Sequence, residues 1–202
     1  RVEGFHFDMR KHLVEYDDVI NRQREIIYNE RRKTLSGADL KLNIMSMVRQ
    51  EIQSMAAAHL ADEHEPDLEG LITDTATIFP LPPEINAQTL SQMKPEQIRS
   101  RLIEQSEALY DKREKELASD NMRILERLIM LRTIDNLWIE HLTMMDYMRQ
   151  GIGLQAMAQR DPLVAYKRES HHMFEDLMAA IQHDVVHTIY HASITHKEAP
   201  QQ

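Results

Sequence analysis

This 202-residue chain has no cysteine, only five glycines and fewer cations than anions. Without cysteine it can form no disulfide framework, no cysteine-ligated zinc site and no thiol nucleophile. The glycines occur in neither a GxxxxGK[ST] nor a GxGxxG spacing, so the chain lacks both nucleotide-phosphate loops. The net charge of -9 argues against specific DNA binding. No apolar run approaches the roughly 20 residues of a membrane-spanning helix.

The remaining composition is that of an ordinary folded chain. Hydrophobic residues make up 42% and charged residues 28%, which excludes a disordered tail. The length suits one domain or two small ones. The first residue is Arg1 rather than Met, so we expect the chain to be a segment of a longer protein.

Glycines and prolines divide the chain into long segments with apolar residues at helical spacing. The first segment predicts a helix ending near Ser36-Gly37, and Asp39 is typical of the N-cap of a second helix, to about residue 61. Residues 62–95 predict loops and short helices, and Pro95 begins a helix of about 25 residues. No segment alternates as a strand does, so we predict an all-α fold. The inward residues are predicted to be Phe5, Met9, Leu13, Tyr16, Ile20 and Ile27, then Leu42, Met45, Val48, Ile52 and Met55, then Ile98, Leu102, Leu109 and Leu117.

The last third predicts two long helices joined by a short connection. Gly151-Ile152-Gly153 is expected to end the first helix, and Asp161-Pro162 to begin the second as N-cap and first residue. At 1.5 Å per residue, about 28–30 residues each give an antiparallel hairpin about 40–45 Å long. The predicted stripes are Met122, Leu125, Leu128, Leu131, Trp138, Leu142 and Met145, and Tyr166, Met173, Phe174, Leu177, Ile181, Val185 and Ile189.

Charge is distributed unevenly along the chain. Residues 1–36 carry a net charge of +1, residues 37–120 of -8 and residues 121–202 of -2. This shift predicts a separate acidic subdomain between two helical parts. The stretch 149–168 is basic, with a net charge of +3. It is either a solvated helix end or a contact surface for acidic protein, lipid headgroups or ribosomal RNA.

Several side chains allow both a structural and a functional interpretation. His183, His187 and His191 have the i, i+4, i+8 spacing of a metal-chelating helix face, but we expect them to form a solvated polar face instead. Glu15, Asp17 and Asp18 form a carboxylate cluster, which we expect in salt bridges rather than in catalysis. Trp138 is expected in the core with His141 beside it. Met157 lies in the connection, either exposed to a partner or folded back.

Two sequence stretches resemble the SecA family of protein-export motors. The first is FDMRKHLVEYDDVINRQR, Phe7 to Arg24, which is similar to the family's long scaffold helix. The second is similar to the family's two-helix finger. It comprises Leu137-Trp138, Glu140-His141-Leu142, Met145 to Ile152, Ala158 to Pro162 and Tyr166 to Glu169.

The resemblance implies a division into scaffold (1–36), helical wing (37–120), two-helix finger (121–195) and tail (196–202). It implies that ATP and Mg are bound by motor domains that precede this region, with no cofactor, metal or catalytic residue in the chain itself. The implied partners are those motor domains, the SecYEG channel and the preprotein. The implied location is the cytoplasm, peripheral at the inner face of the bacterial membrane. The finger is further expected to restrain ATP hydrolysis.

The resemblance also assigns contact residues. The finger loop, about Gly151 to Asp161, is expected to touch the preprotein or the channel, and the scaffold helix the motor domains. Met157 stands where many family members have Tyr, and Gln155-Ala156 replaces a common Arg-Gly. The expected finger contacts are Arg149, Gly151, Gly153, Gln155, Met157, Gln159 and Arg160, and the expected scaffold contacts are Arg10, Asp17, Asp18 and Arg24.

Two other interpretations remain open at this point. One is a metal-binding helical bundle that uses His183, His187, His191 and carboxylates. The other is a helical scaffold for an unrelated complex.

Overall fold

The computed structural model describes residues 2–37, 39–62, 65–155 and 162–192, with side chains described over 14–152 and 163–192 within those ranges. The described residues form seven helices and no strand, which confirms the all-α prediction. The helices are α1 (Val2–Leu35), α2 (Leu40–His59), α3 (Leu68–Ile78), α4 (Ala87–Leu90), α5 (Pro95–Leu117), α6 (Ser119–Gln155) and α7 (Pro162–His191).

The chain divides into two compact units. Unit 1 comprises residues 1–38 and 130–181, and unit 2 comprises 39–129 and 182–202, so α6 and α7 each contribute a segment to both. In unit 2, α2 packs on α5 and α3, and α3 packs on α4. In unit 1, α1 lies along the two helices of the predicted hairpin. The predicted division at residues 36, 120 and 195 stays a prediction.

The helix ends follow the local signals in the sequence. After α1 ends at Leu35, Gly37 takes a φ of 79°, a left-handed conformation that favours glycine. The Asp39 side chain accepts a hydrogen bond from the Leu42 amide at 3.3 Å and so caps α2 as predicted. Pro95 lies in the first turn of α5.

The expectation that Gly151-Ile152-Gly153 ends the first hairpin helix is wrong. Helix α6 continues through Gln155. Two glycines disfavour a helix by about 2 kcal/mol in total. Ile152 packs in a cluster with Met145 and Tyr166. Burial of its side chain contributes about 1.5–3 kcal/mol to stability, which offsets the cost of the two glycines. Tertiary packing therefore overrides the local propensity.

Two predicted core positions are exposed instead. Leu42 is 67% and Leu128 is 59% exposed. A helix turns about 100° per residue, so steps of three drift by about 60° each and leave the apolar face after a few repeats. On α6 the buried face moves to Ile129 at this point. Leu42 is two residues from the buried Leu40 and so points away from it.

A histidine between two aspartates ties the end of α2 to α3 in unit 2. His59 Nδ1 lies 2.9 Å from Asp67 Oδ2, and its Nε2 lies 2.8 Å from Asp74 Oδ2. The hydrogen bond with Asp74 is the main cause of a raised His59 pKa. A Cβ at Gly70 would collide with the Asp67 carboxylate in its present position, so this arrangement requires glycine at position 70.

A carboxylate is buried between α5 and α6 in the same unit. The Glu126 side chain is fully buried, and its Oε1 accepts a hydrogen bond from the Tyr110 hydroxyl. Arg123 lies 3.2 Å from the same oxygen, while Glu126 Oε2 has no hydrogen-bond partner among the described residues. Burial, reinforced by the negative charge of Asp39, raises the pKa of Glu126 to about 7.

Alanine substitutions at Gly70 in α3 and at Gly151 in α6 are expected to act in opposite directions. Gly70→Ala should lower the free energy of unfolding by roughly 1–3 kcal/mol, because the new methyl group collides with the Asp67 side chain. Gly151→Ala should raise it by about 0.5–1 kcal/mol, because a Cβ there meets no atom within 4 Å. Urea unfolding followed by helical circular dichroism measures both. Equal effects at the two positions would contradict the described geometry.

Glu126 is expected to make stability fall as the pH rises from about 4.5 to 7. With its pKa raised in the folded state, Glu126 binds more protons folded than unfolded in this window. Each pH unit then removes up to about 1.4 kcal/mol of this contribution. The matched variant Glu126→Gln lacks the titration, so its unfolding free energy should fall less over the same range. If the unfolding free energies of the two proteins changed with pH in parallel, the raised pKa of Glu126 would be refuted.

Candidate functional site, the α6–α7 hairpin and its base

Within unit 1, polar pairs join α1 to α6 at three levels along the stretches whose side chains are described. The residue numbers of the α1 partners decrease as those of the α6 partners increase, so the two helices run antiparallel. The pairs are Arg31–Asp135, Gln23–His141 and Asp17–Arg149.

The two outer levels are ion pairs at the surface. Arg31 holds Asp135 with two hydrogen bonds, Nε to Oδ1 at 2.8 Å and Nη2 to Oδ2 at 3.2 Å. Arg149 Nη1 lies 3.3 Å from Asp17 Oδ1. All four side chains are more than a third exposed, so solvent screens both pairs and each contributes about 0–1 kcal/mol.

The middle level is buried. The Gln23 amide nitrogen donates to the Ser170 backbone carbonyl of α7 at 3.0 Å, and His141 Nε2 lies 2.8 Å from Gln23 Oε1. Because the Ser170 carbonyl can only accept, the amide nitrogen must face it, and the amide oxygen is left to accept from His141. His141 is therefore protonated at Nε2. Burial lowers the pKa of His141, which favours the neutral ring.

Aromatic rings surround this polar bridge. Trp138 stacks on His141 with ring centroids 5.5 Å apart, and Phe174 of α7 meets the His141 ring edge-on with centroids 6.0 Å apart. Nearer the connection, Tyr16 of α1 meets Tyr166 edge-on at 4.6 Å. The expectation that Trp138 lies in the core beside His141 is confirmed.

The structure brings two of the predicted contact residues together. Arg149, expected in the finger, and Asp17, expected in the scaffold, form the third pair. Asp18 is exposed on α1. Arg24 donates to Asn21 on its own helix at 2.9 Å.

The remaining predicted contacts lie in the last turns of α6, in the first part of α1 or outside the described residues. Gly151, Gly153 and Gln155 belong to the last turns of α6, where Gly151 has open space around its Cα. Arg10 is part of α1, but its side chain lies outside the described residues. Met157, Gln159 and Arg160 also lie outside the described residues, as does the predicted N-cap Asp161.

The histidine face of α7 pairs with other groups in unit 2. His183 Nδ1 lies 2.9 Å from Glu51 Oε1, and His191 Nε2 donates to the Thr77 carbonyl at 3.0 Å. Within the described ranges, no three histidine, aspartate or glutamate side chains are grouped so that they could hold a metal ion.

Sequence reasoning missed Gln23. It lies on the α1 stripe between Ile20 and Ile27, a position where an apolar residue is expected, and it is only 6% exposed. A polar side chain on an apolar stripe was the available signal.

The geometry defines an all-α scaffold protein whose long helical hairpin is held along a single helix. A family model described as the SecA wing and scaffold domain matches residues 1–193. The chain belongs to this SecA family.

Curated relatives agree with this assignment. The protein translocase subunit SecA of Dehalococcoides mccartyi is 56% identical over 196 residues, covering 96% of this chain and 21% of that protein. The corresponding proteins of Chloroflexus aggregans and Pelotomaculum thermopropionicum are 44% and 41% identical, covering 98% and 100% of this chain. The chain spans about a fifth of the length of the curated relatives it matches.

His141 is expected to remain a neutral imidazole protonated at Nε2 when the pH falls to 6.5, its unperturbed pKa. Nitrogen-15 NMR of the histidine rings distinguishes this tautomer from the Nδ1–H form and from the imidazolium. His141→Gln identifies the resonance by removing it. A charged ring or an Nδ1–H ring at position 141 at this pH would contradict the bridge described above.

Proposed function

We propose that this chain is the scaffold and wing portion of a SecA-type protein translocase. In this role the α6–α7 hairpin is the finger that transmits movement from ATPase domains outside the chain to a preprotein at the SecYEG channel, and it restrains ATP hydrolysis. Family membership and the translocase subunits among the relatives support the translocase role. The single observation that carries the mechanical role is the three-level attachment of the hairpin to α1.

The attachment suits a mechanical element for a physical reason. Helices packed along their length resist bending, so a displacement at the base reaches the far end with little loss. The hairpin segment of α6 in unit 1, residues 130–155, is about 40 Å long at 1.5 Å per residue. Closely packed interiors have low compressibility and transmit strain.

The chain's own residues do not fit an ATP site. Both glycine-rich phosphate loops are missing from the sequence, so ATP and Mg are assigned to the motor domains that the resemblance places upstream. We propose contact with those domains through the scaffold helix, including Asp17, Asp18 and Arg24.

No helix in the described part of the chain is long and apolar enough to cross a membrane. The proposed location is the cytoplasm, peripheral at the membrane's inner face.

The basic connection is the proposed point of contact with the channel or the moving chain. The stretch 149–168 carries a net charge of +3 within an acidic protein. Acidic protein surfaces, lipid headgroups and ribosomal RNA are the partners that this charge favours. An apolar, flexible side chain such as Met157 suits contact with polypeptides of varied sequence.

The experiment replaces the matching segment of the Dehalococcoides mccartyi SecA with this chain. A photoreactive residue at position 157 is expected to crosslink to the preprotein or to SecYEG during ATP-driven translocation into vesicles. The matched control carries the same residue at Met178, about 24 Å along α7 from its start at Pro162. We expect no adduct to preprotein or channel from position 178.

Two results would overturn the proposal. One is a chimera that translocates but gives no adduct from position 157. The other is a chimera whose ATP hydrolysis matches that of a SecA lacking the segment, because restraint of the motor requires a lower rate in the chimera.

A further inference from the structure

The three levels that join α1 to α6 differ in how strongly they fix the axial position of the hairpin. Arg31 and Arg149 are long, partly exposed side chains paired with exposed carboxylates. Such ion pairs accept a range of geometries, and water satisfies both partners when they separate. They therefore hold the helices together without fixing one register.

The Gln23 bridge has no such tolerance. Its amide satisfies two groups on two different helices, the Ser170 carbonyl and the His141 ring, inside a buried environment. A buried polar group that loses its partner has no water to replace it. The bridge is therefore satisfied in one alignment of the three helices.

The sequence of α6 shows what a shift of one turn would bring to Gln23. One turn along a helix is 5.4 Å, or about four residues. One turn further along α6 from His141 lie Met144 and Met145, and neither side chain can donate a hydrogen bond. A hairpin displaced in this direction, which also brings Ile139 to Arg31, would leave the Gln23 oxygen and the His141 ring without their present partners.

We propose that Gln23 is the positioning residue that fixes the register of the α6–α7 hairpin on α1, through its paired hydrogen bonds to His141 and the Ser170 carbonyl. The hairpin then occupies discrete positions separated by a helical turn instead of sliding continuously. This inference extends the proposed function, because it says how the finger is held. The register that Gln23 fixes does not depend on whether the hairpin acts as a finger.

Thiol crosslinking can measure the register directly because the chain contains no cysteine. Cysteines replacing Arg31 and Asp135 report the native register. Cysteines replacing Arg31 and Ile139, which is exposed and one turn further along α6, report a shifted register. A short bis-maleimide is applied to each pair, and the shifted product is expressed as a fraction of the native product.

Gln23→Leu, an apolar side chain of similar size, is expected to raise the shifted fraction about tenfold, the effect of one unpaired buried group. Ile27→Ala is the matched control, because it weakens the same buried stripe without removing a hydrogen bond. Its shifted fraction should stay at the level of the unsubstituted protein. An unchanged fraction in Gln23→Leu, or an equal rise in Ile27→Ala, would overturn the proposal.

A second pair of variants tests the positioning role of Gln23 if circular dichroism shows that Gln23→Leu does not fold. His141→Gln keeps a donor for the Gln23 oxygen and should hold the native register, whereas His141→Leu should raise the shifted fraction. Equal behaviour of these two variants would contradict the proposal.

The same substitutions in the Dehalococcoides mccartyi chimera separate the two proposals. Loss of register without any change in translocation or ATP hydrolysis supports the positioning role and counts against the finger function. A native register in Gln23→Leu overturns the positioning role, whatever the chimera does.

Discussion

The arrangement of unit 1 depends on one buried amide that must be satisfied by two helices at once. Gln23 projects from α1 into a layer of aromatic rings and finds its acceptor on α7 and its donor on α6. Apolar contacts around it are not directional, and the ion pairs at either end are exposed to water. Among these described contacts, the amide distinguishes one alignment of the helices from its neighbours.

Unit 2 is specified by a different use of polar groups. Its acidic charge, which the sequence places over residues 37–120, is partly paired with nearby cations. Lys41 lies 3.0 Å from Asp111 and 2.7 Å from Glu114, joining the start of α2 to α5. These contacts and the His59 bridge connect successive helices within the unit. The surplus of carboxylates is consistent with a solvated surface.

The sequence predicted helices well where the signals were local, and less well where tertiary contacts decide. Asp39 and Pro95 mark helix starts because capping chemistry is confined to one turn. The prediction failed at Gly151, since the burial of Ile152 against Tyr166 depends on a helix that lies elsewhere in the sequence. For the same reason the Gln23 bridge could not be predicted. Its partners are 118 and 147 residues away.

The longer α6 extends the regular part of the hairpin. Helix α6 continues through Gln155, four residues beyond Gly151, where the sequence predicted the connection to begin. The backbone torsions of a helical residue are fixed, so residues 151–155 transmit a displacement of α6 instead of absorbing it. A register fixed at Gln23 therefore also sets the axial position of α6 as far as Gln155.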